Sequence, residues 1–134
     1  MHTRIGAHDE GAAAVEFALV LPLLLLVIFG IIDFGRAYNA QQALNAGTRE
    51  GARVLALQTG DPTTATKAGA YPLAPALVGV TTSACSGGTD SYASESASYA
   101  FSYITPVSAF LGFFGAAALT SPITLTSQAT FRCS

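Results

Sequence analysis

A single carboxylate inside an apolar run is the clearest sign of chemistry in this chain. Glu16 interrupts an otherwise uncharged stretch from Gly11 to Ile32. Burying a carboxylate in lipid without a partner costs several kcal/mol. If the chain were cut after Gly11, a new α-amine would form at Ala12, and Glu16 would be the fifth residue of the product. That amine and the carboxylate of a neighbouring parallel helix could neutralise each other in lipid. The simpler interpretation leaves Glu16 at the level of the lipid headgroups.

The two cysteines are the second chemical feature. Cys85 and Cys133 form an even pair in a Ser/Thr/Gly-rich region with few charges, which suits an exported, oxidising compartment. We predict one disulfide, closing a loop of about fifty residues and contributing on the order of 4 kcal/mol. Two free thiols are the alternative, expected if this part of the chain faced the cytoplasm.

The composition excludes several classes of protein. The 134 residues are 51% apolar and 10% charged, with a net charge of −2 and no basic block, so we expect no nucleic-acid partner. The only histidines, His2 and His8, precede Gly11 and would be lost on cleavage there. No Gly-rich phosphate loop or carboxylate cluster is present. The sequence therefore predicts no enzyme, catalytic residue, cofactor, metal site or small-molecule substrate.

The apolar run is long enough to cross a membrane. Residues 11–32 would form a helix of roughly 33 Å, against a hydrocarbon core of about 30 Å. A secretory signal peptide is the alternative, but its apolar core normally runs about 7 to 15 residues and ends in a small-residue cleavage site. Here the run ends in Asp33, Phe34, Gly35 and Arg36. We therefore predict a single-pass anchor.

The indications of orientation disagree. Three arginines follow the span, whereas the segment before it has Arg4 beside the acidic Asp9 and Glu10. The positive-inside rule alone would thus place the C-terminal part in the cytoplasm. The cysteine pair and the shortness of the leading segment favour the opposite topology. We expect the N-terminus inside and the C-terminal part exported.

The helix is predicted to continue well beyond the membrane. Good helix formers run without proline from Asp33 to Leu57, so one helix is expected from about Ala12 to about Gln58, ended by the turn signal of residues 59–62. Pro22 should do no more than kink it.

The second half of this helix has a face of small residues at spacings of three and four, which allow close backbone approach. Its own C-terminal domain is expected to cover part of that face. Two i,i+3 pairs, Asp33 with Arg36 and Glu50 with Arg53, are interpreted as ordinary surface ion pairs. The small face consists of Ala40, Ala43, Gly47 and Gly51.

The rest of the chain predicts a small sheet. Residues 123–133 alternate between apolar and polar and are the clearest strand. Tyr99, Phe101 and Tyr103 mark a second strand, and residues 77–82 a weaker third. The apolar segment 106–119 is too short for a second span, so we expect a buried or interfacial helix, with an exposed contact patch as the alternative.

These elements define a membrane-anchored α+β fold. A long N-terminal helix packs on a small antiparallel β domain. The expected organisation is a leader peptide at 1–11, a long helix at 12–58 with a transmembrane segment at about 12–32, and an exported β-rich domain at 59–134.

Three segments carry a family resemblance. Residues 11–23 (GAAAVEFALVLPL), 31–38 (IIDFGRAY) and 49–53 (REGAR) resemble the TadE-like proteins. These are minor pilins, or pseudopilins, of the tight adherence (Flp-type) pilus system, distantly similar to type IV pilins. The match is specific over residues 11–57 and loose beyond them.

The resemblance implies a processing and assembly pathway. Prepilin peptidase would remove the leader between Gly11 and Ala12, and Glu16 would take the pilin glutamate's role in assembly. The implied partners are membrane lipid, other pilin or pseudopilin subunits and the tight adherence assembly machinery, with the chain in the cytoplasmic (inner) membrane or in an extracellular pilus. The alternative is an anchored adhesin or envelope-binding module that never polymerises. It would need neither Gly11 nor Glu16.

Overall fold

The computed structural model describes residues 7–88, 91–113, 115 and 122–133. The predicted α+β fold is confirmed, with a long N-terminal helix packed on a three-stranded antiparallel sheet. In chain order the elements are α1 (Ala7–Leu57), α2 (Pro62–Gly69), a 3-10 turn (Pro75–Leu77), β1 (Val78–Ser83), β2 (Tyr92–Phe101), α3 (Val107–Phe113) and β3 (Ile123–Arg132).

Helix α1 is one unbroken element of 51 residues, with Pro22 inside it. At about 1.5 Å per residue it is roughly 76 Å long. It begins at Ala7, earlier than predicted, and ends one residue before the predicted Gln58. The end is a Schellman turn: Gln58 has a positive φ of 52°, its N–H donates to the carbonyl of Leu55, and the N–H of Thr59 donates to that of Val54.

Helix α2 was not expected from the sequence, where residues 59–62 indicated only a turn. Asp61 caps its first turn, because the Asp61 carboxylate accepts a hydrogen bond of 2.9 Å from the backbone N–H of Thr64. Pro62 then occupies the first helical position, where its missing N–H costs nothing. The turn signal was therefore also a helix start.

The sheet has the order β1-β2-β3, with both pairs antiparallel. The three predicted strands are present, but β2 is longer than expected. It begins at Tyr92 and ends at Phe101, so Tyr103 lies beyond it. The buried face of β2 carries Ala93, Glu95 and Ala97, a set that shows no apolar alternation.

The sheet packs on the second half of α1. Leu44 of α1 belongs to one buried hydrophobic cluster with Ala70, Val78 and Ala97. The amide of Gln41 donates a hydrogen bond of 2.9 Å to the carbonyl of Thr126, which fastens α1 to β3.

The small face of α1 is covered by the chain's own domain, as expected. A Cβ atom placed on Gly47 would lie 2.8 Å from the backbone nitrogen of Ala70, and one on Gly69 would lie 3.0 Å from the Cα of Gly47. These glycines let the backbones of α1 and α2 approach closely. The buried small residues are Ala40, Ala43, Gly47 and Gly51.

Helix α3 occupies the first half of the apolar segment 106–119. Val107 is buried, and Phe110 and Leu111 are half-buried. The helix lies beside α1 rather than on the sheet. Residues 114 and 116–119 of the same prediction lie outside the described residues.

Candidate functional site

Residues 11–32 of α1, here called the bare segment, are mostly exposed. The most apolar 18-residue window of α1 has a mean hydropathy of 2.8 on a helix long enough to span a membrane, and no residue of that window is buried. The core helix of a soluble domain would be covered by other elements. The exposure therefore fits a single-pass membrane anchor.

The residues predicted for processing and assembly lie on this bare helix. Gly11, Ala12 and Glu16 are all exposed, and a Cβ on Gly11 would meet no atom within 4 Å. Ala12 and Glu16 are four residues apart, so they share one face of α1. In the described part of the chain no side chain binds the Glu16 carboxylate. The structure thus leaves this carboxylate available to a group from outside the chain.

Asp33 lies just after the bare segment. Its predicted pair with Arg36 is present, but the expectation that it is an ordinary surface pair was wrong, because Asp33 is buried. Its side chain is only 3% exposed. It accepts a hydrogen bond of 3.3 Å from the backbone N–H of Ile104 and another from the hydroxyl of Thr105. Arg36 lies 3.4 Å away. Asp33 therefore fastens the β2–α3 connection to α1, through partners more than seventy residues away that no local pattern reveals.

Arg36 strengthens the same junction. Its guanidinium donates a hydrogen bond of 3.4 Å to the carbonyl of Ser102 and lies 5.2 Å from the centre of the Phe101 ring. That distance is within the range of a cation–π interaction. We call Asp33, Arg36, Ser102, Ile104 and Thr105 the boundary clasp, because it begins where the bare segment ends.

A second carboxylate, Glu95, is buried between the sheet and α1. It is fully inaccessible and accepts a hydrogen bond from the hydroxyl of Thr66, while among the described residues its other oxygen, Oε2, has no partner. Burial raises the pKa of Glu95, the Thr66 hydrogen bond opposes that rise, and the charge of Asp61 adds to it. The sequence did contain a signal, since Glu95 is the only charged residue between Asp90 and Arg132.

The cysteines are joined. Cys85 and Cys133 form a disulfide with their Cα atoms 6.1 Å apart. The backbone N–H of Cys133 also donates a hydrogen bond of 3.0 Å to the carbonyl of Ser91. Together these bonds tie the end of β3 to the connection between β1 and β2.

The geometry defines a class of α+β protein whose single N-terminal apolar helix fits a membrane anchor and carries a small sheet at its other end. Within that class, the family model described as "TadE-like protein" matches residues 11–53 of this chain. The match confirms the predicted resemblance and contains Gly11, Ala12, Glu16 and Asp33. No curated protein and no solved structure matches the chain.

The family match supports a protein associated with the tight adherence pilus. It also implies involvement with pilus assembly and with other pilus components. The family is structural rather than enzymatic, and nothing in the comparison indicates catalysis.

Proposed function

We propose that this chain is a minor pilin or pseudopilin of the tight adherence (Flp-type) pilus. The N-terminus lies on the cytoplasmic side, α1 spans the cytoplasmic membrane, and the sheet domain is exported. Prepilin peptidase cuts between Gly11 and Ala12. The observation that carries the proposal is that the family match covers a bare helix on which the predicted cleavage site and Glu16 share one exposed segment.

The charge of Glu16 gives the proposal its mechanism. A single chain can place this carboxylate near the membrane surface, where it reaches water. In a bundle of parallel helices water is excluded, and the carboxylate is then tolerated only when it is paired. The α-amine of Ala12 on a neighbouring subunit supplies the opposite charge once the leader has been removed.

The packing of α1 restricts where other subunits bind. The small residues of its second half are covered by α2 and β2. Residues 11–32 are mostly exposed, apart from the partly covered positions near α3. Subunit contacts through α1 are therefore assigned to the membrane half of the helix.

The first test is the N-terminus of the mature protein. Co-expression with the cognate prepilin peptidase should give a product that begins at Ala12. Mass spectrometry of membrane-extracted protein reads this directly. A peptidase-inactive strain is the control, and an intact leader in the presence of active peptidase would contradict the processing step.

The second test separates assembly from anchoring. Glu16→Ala should insert and be cleaved normally yet fail to support piliation, because the Ala12 amine of each neighbour loses its partner in lipid. Glu50→Ala is the matched control, since Glu50 is an exposed glutamate of the same helix whose ion pair is with Arg53. Normal piliation with Glu16→Ala would instead favour the anchored adhesin or envelope-binding module.

A further inference from the structure

We propose that α3 enters the lipid leaflet on the side of the C-terminal domain, and that the groove between α3 and α1 holds a lipid acyl chain. This is a second membrane contact, made by the C-terminal domain itself. It goes beyond the proposed pilus function and requires only that α1 spans the membrane.

The position of the groove along α1 carries the proposal. Leu26 is seven residues before Asp33 and Pro22 is eleven, which places them about 10 Å and about 16 Å from Asp33 along the helix axis. Phe110 and Leu111 of α3 face that level. If Asp33 marks the edge of the hydrocarbon, α3 lies inside it. The groove is lined by Ala18, Leu19, Pro22, Leu23 and Leu26 of α1, with Phe110 and Leu111 of α3.

The chemistry of the groove fits an acyl chain. Its volume is about 450 Å³, and its walls are almost wholly apolar. The described residues that line it carry no polar side chain that would orient a peptide or a polar ligand. One wall is the bare segment of α1, which in a membrane is surrounded by acyl chains. Before the chain has bound another subunit, the occupant of the groove is therefore a lipid acyl chain.

The sequence around α3 permits entry into lipid. Residues 96–131 contain no charged side chain, so no ion has to be desolvated. The boundary clasp holds the start of α3 against α1 through Ile104 and Thr105. Large apolar side chains stand exposed near the same junction: Phe34 is 74% exposed, Ile104 65% and Ile123 41%. A domain surrounded by water would carry polar residues at these positions. The exposed apolar side chains therefore fit a location at the boundary between the lipid headgroups and the hydrocarbon.

Tryptophan fluorescence tests the depth of α3, because the chain contains no tryptophan. Phe110→Trp is introduced into the full chain and reconstituted at high lipid excess into phosphatidylcholine vesicles with or without brominated acyl chains. Leu24→Trp, on the exposed side of the span, is the positive control. Tyr71→Trp is the negative control, since Tyr71 is 83% exposed on the sheet domain. Phe110→Trp should lose fluorescence to a degree similar to Leu24→Trp, while Tyr71→Trp keeps its signal.

Two outcomes would overturn the proposal in different ways. If Phe110→Trp behaves like Tyr71→Trp while Leu24→Trp is quenched, α3 lies outside the lipid, and the proposed pilus function is untouched. If Leu24→Trp is not quenched either, α1 does not span the vesicle membrane, and both proposals fail. Leu111→Trp repeats the measurement at a second position of α3, so that a folding defect confined to Phe110→Trp does not decide the result.

A filled groove tests the acyl chain itself. Ala18→Phe, combined with Phe110→Trp, should reduce quenching because the added ring occupies the groove. Ala14→Phe, one turn away on the exposed helix and outside the groove lining, is the matched control and should leave quenching unchanged. Equal quenching in both variants would contradict the acyl-chain site.

Discussion

The close approach of α1 and α2 at Gly47 makes a quantitative prediction. In Gly47→Ala the new Cβ would collide with the carbonyl oxygen of Thr66 and lie 2.8 Å from the backbone nitrogen of Ala70. Both are backbone atoms, so no change of side-chain rotamer relieves the contact. Helix α2 has to move away from α1.

The expected loss follows from two opposing effects. Overpacking a well-packed site typically costs about 1–3 kcal/mol, and the backbone clash at Gly47 places it at the upper end. Alanine recovers about 1 kcal/mol over glycine through its helix propensity. The net loss is about 2 kcal/mol. At an unfolding entropy of about 2.1 cal/mol/K per residue, this lowers the Tm of the 134-residue chain by roughly 7 °C.

Gly35→Ala is the matched control within the same helix. A Cβ on Gly35 would meet no atom within 4 Å, so this variant should gain up to about 1 kcal/mol from helix propensity alone. Thermal unfolding of the full chain in one nonionic detergent, followed by tyrosine near-UV circular dichroism, measures both. If Gly47→Ala is as stable as Gly35→Ala, the packing of α2 on α1 described above is wrong.

Two further predictions concern Glu95 and the disulfide. Because burial raises the folded-state pKa of Glu95 above the ordinary value of 4.5, its contribution to the free energy of unfolding is fully present below that pH and is lost as pH rises through the folded pKa. In Glu95→Gln the free energy of unfolding, measured by urea titration at a series of pH values, should fall less steeply as pH rises. An unchanged dependence on pH would contradict the prediction. Cys85→Ser should free the thiol of Cys133 and lower the free energy of unfolding by about 4 kcal/mol in the chain-entropy model. Labelling of both thiols in unreduced wild-type protein from cells would contradict the disulfide and the exported topology together.

Local patterns predicted the elements that follow a regular period. The apolar run and the absence of proline after Pro22 predicted α1, and the alternation after Ile123 predicted β3. The first half of β2 was missed because its inward positions are small or charged. The burial of Glu95 was not predicted either, because its partner Thr66 lies 29 residues away in another element.

The role of Asp33 could not be predicted, because its partners belong to the β2–α3 connection. A spacing of three residues to Arg36 indicated a surface pair, and that pair exists. What the spacing could not show is that another segment covers the carboxylate. The residues proposed for processing and assembly differ from Asp33, because their roles depend on partners from outside the chain. These residues are Gly11, Ala12 and Glu16.

The continuity of α1 has a mechanical consequence. The helix passes from the bare segment into the sheet domain without an interruption, and the boundary clasp adds a second attachment at the same level. If α1 spans the membrane as proposed, the unbroken helix between Asp33 and Leu57 couples a change in the tilt or rotation of the span to the orientation of the sheet. A force that draws the helix out of the bilayer would lift the sheet with it. Orientation outside the membrane is thus set by how the helix sits within it.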